Sequence, residues 1–179
     1  MKFTALPLAG AFLIDLELVA DHRGWNARQW CTREFRTNGL PIDVVQSNVI
    51  SNRQRGTLRG FHYQVEPHQE SKLFRVTRGA IFDVIIDLRE HSATYLQWTS
   101  VELEADEYRM LFVPEGFAQA FQTLEEDTEL IYQVSAFYSP VNGRGIRYDD
   151  PAFDIPWPLA VSAISDADRG WPDFEGSRS

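Results

Sequence analysis

The chain has 179 residues and a mass of 20.6 kDa, with 44% apolar and 24% charged side chains, which fits one globular domain and speaks against wholesale disorder. Its 17 basic against 26 acidic residues leave a net charge of −9, so no basic face is offered to duplex DNA and nucleic acid is set aside as a partner. Cys31 is the single cysteine, which excludes an intrachain disulfide and fits a reducing cytoplasm.

At the N-terminus, Lys2 and the apolar stretch from Ala5 to Ile14 imitate a secretory signal. Pro7 and Gly10 interrupt that stretch, and Asp15 and Glu17 then alternate with Leu16 and Leu18, as a strand does and a cleaved signal does not. No apolar run approaches the roughly 20 residues of a spanning helix, so no membrane is expected. The periodicity predicts strands at Phe12–Val19, Val44–Ile50, Thr57–Gln64, Lys72–Thr77, Ile81–Leu88, Gln97–Leu103, Tyr108–Val113, Ala118–Thr123, Glu129–Phe137 and Arg144–Tyr148. One short helical turn is expected at Arg33–Asn38, capped by Thr32 and ended at Gly39. Many short strands between turn signals such as Arg78-Gly79 and Pro114-Glu115-Gly116 argue for an all-β sandwich or barrel. Residues 1–179 read as one domain, with Glu175–Ser179 as a loose tail.

Chemistry-bearing side chains are densest between Arg53 and Lys72, where Arg53, Arg55, Arg59, His62, His68 and Lys72 point to an anion site in an otherwise acidic protein. Taken singly, each Arg fits the solvent side of a strand, and His62 fits a packed histidine. Arg59 and His62 lie three apart and fall on opposite faces of a regular strand, unless Gly60 marks a bulge that breaks the parity. The string Pro114-Glu115-Gly116-Phe117-Ala118-Gln119 is similar to the second cupin signature, with Gln119 where that signature carries a metal-binding histidine. The first signature needs two histidines one residue apart, and His62-Tyr63-Gln64 supplies one. One imidazole with a carboxamide is a poor set for a transition metal, so a cupin-type double-stranded β-helix (a jelly roll) is expected, without a metal.

Arg55-Gly56-Thr57-Leu58-Arg59-Gly60-Phe61-His62-Tyr63-Gln64 resembles the signature strand of the dTDP-4-dehydrorhamnose 3,5-epimerase family. Asp21-His22-Arg23-Gly24, Gln46-Ser47-Asn48, Lys72-Leu73-Phe74-Arg75-Val76, Ile81-Phe82-Asp83-Val84 and Gly145-Ile146-Arg147-Tyr148-Asp149-Asp150-Pro151 agree with it in order and spacing. The resemblance implies a cofactor-free, metal-free homodimer acting on a nucleotide-linked 4-keto-6-deoxyhexose. It implies that His62 is the general base, Asp168 its orienting carboxylate, Lys72 the cation near the keto oxygen and Tyr132 the acid on the opposite sugar face. It further implies diphosphate contacts from Arg59 and, across from the partner chain, Arg23. Gln46, Ser47 and Asn48 fall to the nucleotide, Tyr138 to stacking on the base, and Gln119 to the sugar pocket.

These residue types suit the chemistry. A proton beside a ketone is a weak acid, so the forming oxyanion needs a positioned cation. Imidazole takes a proton near neutral pH, and a carboxylate behind it favours the imidazolium. Inversion also requires a second group to return a proton from the other face. The chain departs from the family at Asn26, Ala27, Arg28, Gln119, Gly143 and Ala167, positions expected near the nucleotide or sugar. The catalytic set is retained while the recognition set drifts, so the base, the sugar and the number of inverted carbons stay open. A relative acting on another nucleotide sugar such as a CDP-sugar, a 3,4-ketoisomerase and a non-catalytic sugar-nucleotide binding module remain the alternatives. A silent binder, however, has no need of an opposed base and acid.

Overall fold

The computed structural model describes residues 1–40 and 42–176. The strands, in chain order, are β1 (Lys2–Ala5), β2 (Phe12–Asp15), β3 (Val19–Asp21), β4 (Gly24–Asn26), β5 (Gln46–Asn52), β6 (Leu58–Gln64), β7 (Lys72–Arg78), β8 (Ala80–Asp87), β9 (Trp98–Glu104), β10 (Arg109–Val113), β11 (Phe117–Thr123), β12 (Thr128–Val134) and β13 (Gly143–Gly145). Two short helices, α1 (Thr32–Thr37) and α2 (Asp166–Arg169), and a 3-10 turn at Ala105–Glu107 complete the regular elements among the described residues. A six-stranded sheet in the order β1-β2-β10-β7-β12-β5 faces a five-stranded sheet in the order β13-β6-β11-β8-β9, and β3 and β4 form a separate hairpin. Neighbours in both sheets are antiparallel and often distant in sequence, as β2 with β10 and β6 with β11 are. The architecture is the all-β, cupin-like jelly roll.

Side-chain alternation explains how the sheets close on each other. Phe74 and Val76 of β7, Leu130 of β12 and Leu111 of β10 meet Ile81 and Ile85 of β8 and Phe121 of β11 in the core between the sheets. The alternate residues build two outer layers. Leu73, Met110 and Phe112 pack under α1 and its flanks through Phe35, Leu40 and Ile42, while Val84, Ile86 and Ala118 pack under the late segment holding Ile146 and Phe153. Each such buried Leu, Ile or Phe contributes about 1.5–3 kcal/mol relative to exposure. The outer layers also anchor the chain that carries α2 against the five-stranded sheet.

Where the elements differ from expectation, the loss of a pairing partner is the usual cause. The strand expected at Phe12–Val19 ends at Asp15, because its partner β10 begins at Arg109 after Tyr108, whose φ of 53° turns the chain away. Val19 then starts the exposed β3–β4 hairpin. The strand expected at Glu129–Phe137 stops at Val134, the last residue paired with both β5 and β7. The strand expected at Arg144–Tyr148 is β13, which begins at Gly143 and leaves β6 after Gly145. β1 was not expected, and it pairs with β2 across the stretch that imitates a signal. In α1, Thr32 is the first helical residue rather than the cap. Cys31 takes the cap position without a side-chain bond, and Gly39, at φ 75°, lies just past the end. Of the expected tail, Glu175 and Gly176 are described, and 177–179 lie outside the described residues.

Candidate active site

A cleft of about 570 Å³ opens between the two sheets at the end where β6, β7, β11 and β12 present polar rather than apolar inward side chains. His62, Lys72, Tyr132 and Asp168 all line it, as do Arg59, Gln46, Asn48, Gln119 and Tyr138. Two expected residues are not brought there. Ser47 lies between Gln46 and Asn48, so the two-residue period of β5 sends it to the other face. Arg23 sits on the exposed β3–β4 turn, paired with Asp21 and absent from the cleft wall.

The parity problem on β6 is resolved by a bulge. Arg59 pairs with Phe121 and His62 with Gln119, so Gly60 and Phe61 together oppose Ala120 alone. The extra residue brings Arg59 and His62 to the same wall. Only glycine serves here, because Gly60 has a φ of 110° and an added Cβ would stand 2.6 Å from the Gln119 carbonyl oxygen.

His62 Nε2 lies 2.6 Å from Asp168 Oδ1, and the Gly60 amide donates to Asp168 Oδ2 at 3.3 Å. The Asp168 amide in turn donates to the Ser165 side chain that caps α2. Burial alone would raise the Asp168 pKa, but the bond to His62 and the Gly60 amide outweigh it, and the carboxyl sits below its ordinary value. Asp168 is therefore an anion behind a half-exposed ring.

On the opposing sheet, Lys72 is nearly buried. It donates from Nζ to the His62 carbonyl at 3.2 Å and lies 3.3 Å from Glu70 Oε1. Tyr132 stacks on Phe74 with ring centroids 5.1 Å apart and planes 8° from parallel. Its hydroxyl has no hydrogen-bond partner among the described residues. Burial first, and then the Glu70 charge, hold its pKa above that of an ordinary phenol, against an opposite pull from Arg59. The position of Lys72 and Tyr132 follows from pairing, since both belong to the inward set with Phe74 and Leu130.

Around this centre, Arg59 Nε donates to Asn52 Oδ1 at 2.7 Å, which leaves the outer nitrogens of its guanidinium to the cleft. Gln46 donates to Asn48, whose own Nδ2 is buried without a partner. Gln119 donates to Asp83 Oδ2 at 2.6 Å, and Asp83 is fully buried. Burial raises the Asp83 pKa well above normal, with only partial relief from Gln119 and Lys72. Glu70, Tyr63, Arg144 and Trp171 also line the cleft and were not expected from the sequence. Among the described residues no group of three or more His, Cys, Asp or Glu is arranged to hold a metal, and no helix is long and apolar enough to cross a membrane.

Comparison with known proteins matches residues 5–176 to the model of dTDP-4-dehydrorhamnose 3,5-epimerase. The chain belongs to the dTDP-4-dehydrorhamnose 3,5-epimerase family. It is 41% identical over 175 residues to the dTDP-4-dehydrorhamnose 3,5-epimerase of Sinorhizobium fredii, covering 97% of this chain and 90% of the relative. Its fold superposes with a TM-score of 0.93 and 38% identity on the dTDP-4-dehydrorhamnose 3,5-epimerase of Bacillus anthracis, solved with TDP and PPi bound, over 97% of this chain and 99% of that one. A 3'-monoepimerase of Streptomyces bikiniensis, solved with dTDP-quinovose, gives a TM-score of 0.86 at 32% identity, over 94% of this chain and 85% of that one. The solved structures that this chain resembles therefore include an enzyme named for inverting one carbon as well as enzymes named for two.

Proposed function

We propose that this epimerase inverts carbon 3, carbon 5 or both in a dTDP-linked 4-keto-6-deoxyhexose. The observation that carries the reading is an imidazole backed by a buried carboxylate on one wall and an unpartnered phenol on the other. In this reading His62 removes the proton from the carbon beside the ketone, and the electron pair moves to the keto oxygen as an enolate. The Lys72 ammonium stabilises that oxyanion, and Asp168 stabilises the imidazolium. Tyr132 then delivers its proton to the opposite face of the same carbon, and the ketone re-forms with inverted configuration. Arg59 suits the diphosphate, Gln46 and Asn48 the nucleotide, Tyr138 its base, and Gln119 the sugar. No metal, cofactor, nucleic acid or membrane enters this scheme, and a cytoplasmic single-domain protein suits a soluble nucleotide sugar.

The reading extends to a homodimer in which Arg23 reaches the partner's diphosphate. Its support is the projecting β3–β4 hairpin, where Arg23 is accompanied by exposed Val19 and Trp25, and the exposed Val49 on edge strand β5. Sedimentation should give a dimer. Mixing inactive Arg23→Ala and His62→Asn chains should restore some activity through mixed dimers, whereas a fully active monomer would end this part of the proposal.

Proton NMR of the dTDP-linked 4-keto-6-deoxyhexose in deuterated water tests the reaction. Loss of the carbon 3 or carbon 5 signal with a change of configuration is expected. Likeness to a 3'-monoepimerase favours a second reading, in which only carbon 3 exchanges and inverts. No exchange at either carbon would refute both.

A further inference from the structure

Glu70 precedes β7 by two residues and lines the cleft with a side chain only 13% exposed, yet no step of the reaction above falls to it. Its Oε1 is 3.3 Å from Lys72 Nζ, and its Oε2 accepts from Gln64 Nε2 at 3.2 Å. Lys72, with a side chain 8% exposed, has no other ion-pair partner among the described residues. A buried ammonium without a counter-charge sheds its proton or destabilises its surroundings. Asp83 also bears on Lys72, but it forms no ion pair with it among the described residues, and its burial disfavours the charged form.

The carboxylate is itself held in place. Gln64 donates to the carbonyls of His68 and Phe137 as well as to Glu70, and accepts from the Ser139 amide at 2.7 Å. An ammonium has three hydrogens. Glu70 and the His62 carbonyl engage two of those on Lys72, which leaves one for a ligand in the cleft. The second acceptor belongs to the backbone of the base, so the ammonium is fixed relative to His62. On the other side, the same carboxylate bears on the Tyr132 phenol.

We propose that Glu70 is a positioning residue of this site, whose carboxylate, itself held by Gln64, anchors the Lys72 ammonium in the cleft beside His62. The proposal rests on the reading above, in which Lys72 meets the keto oxygen and Tyr132 supplies the proton. The charged and titratable groups facing this pair are Glu70 itself, His62 and Arg59 from β6, Asp83 from β8, Asp168 from α2 and Arg144 from β13. Among them Glu70 is the anion paired to Lys72. Removing its charge frees the ammonium and makes the Tyr132 phenol easier to deprotonate, so activity should fail at a lower pH than in the parent.

Glu70→Gln keeps the shape and removes the charge. The alkaline limb of its kcat profile should move down by about one pH unit, with kcat near the old limb about tenfold lower and KM little changed. Glu70→Asp keeps the charge and should keep the parental limb. If both variants lower the melting temperature without moving the limb, or if Glu70→Asp moves it as far as Glu70→Gln, the proposal is overturned. A measurement independent of turnover is the crystal structure of ligand-free Glu70→Gln. Its Lys72 Nζ should leave the place it holds beside the His62 carbonyl, and an unmoved ammonium in a folded variant would overturn the proposal. Parental protein that never exchanges a substrate proton would instead overturn the functional reading, while the position of the ammonium would still judge Glu70.

Discussion

The two walls of the cleft hold their reactive groups by different physical means. On the five-stranded sheet His62 leaves 52% of its side chain accessible and is fixed by a bond to Asp168, whose side chain is 7% accessible. On the six-stranded sheet Tyr132 is fixed by packing against Phe74, and its hydroxyl is left without a partner among the described residues. The contrast suits the proposed division of labour. A group that gains positive charge benefits from an anion fixed behind it, whereas a group that must give its proton to the substrate alone is better held through its ring. Orientation by hydrogen bond and orientation by apolar contact also fail differently when disturbed.

The sharpest way to break the hydrogen-bonded wall is His62→Asn, which deletes the proposed base. Turnover and solvent exchange should both fall by about 10²–10⁴-fold in steady-state assays. Asp168→Asn leaves the ring and loses its anion, so its kinetic loss should have the same character and be smaller. Asp168 also links this wall to acid stability. Its pKa is depressed in the fold, so its contribution is present above the ordinary carboxylate value and is lost as pH falls through the folded one. Melting curves of the parent and Asp168→Asn should therefore draw together as pH falls below about 4.

A somewhat smaller effect is expected from the backbone of the same wall. Gly60→Ala forces a Cβ against the Gln119 carbonyl and the Ala120 Cα, at 2.6 and 2.7 Å, and should cost about 3 kcal/mol in urea denaturation. Gly24→Ala, at a φ of 130° with nothing within 4 Å, is the control and should cost about 1 kcal/mol through backbone strain alone. Equal losses in the two variants would show that the bulge is not tightly packed.

Asp83→Asn is expected to have the smallest effect, and one of opposite sign. Asp83 has a raised pKa in the fold, so its stability is complete below the ordinary carboxylate value and declines as pH rises toward the folded one. The amide removes that loss and can still accept from Gln119. The variant should match the parent near pH 4 and melt about 2–4 °C higher at neutral pH. A lower melting temperature at neutral pH would mean that Asp83 is needed as an anion.

Strand content was legible because alternation is local. Lys72, Phe74 and Val76 alternate with Leu73 and Arg75, and this period alone places Lys72 on the inward face. Strand ends were less legible, since Asp15 and Val134 end where partners run out, and the partners are far away in sequence. α2 spans four residues, too few for a helical period, so Asp168 alone reads as surface. Its bond to His62 spans 106 residues, and only resemblance to a family could join the two before the fold was known. The bulge at Gly60 was legible as a question, because a glycine between two residues of conflicting parity marks the place. Glu70 carried no signal: it lies outside β7, and nothing local announces that Gln64 and Lys72 converge on it.

The claim that matters most is that proton removal and proton return belong to different walls. The direct measurement follows deuterium incorporation and epimer formation together, by NMR in deuterated water, for the parent and for Tyr132→Phe. With His62 intact and the phenolic proton absent, the account predicts that exchange with retained configuration persists while epimer formation falls by about 10²-fold or more. If Tyr132→Phe forms the epimer at the parental rate, Tyr132 is a core ring and the two-wall account is contradicted.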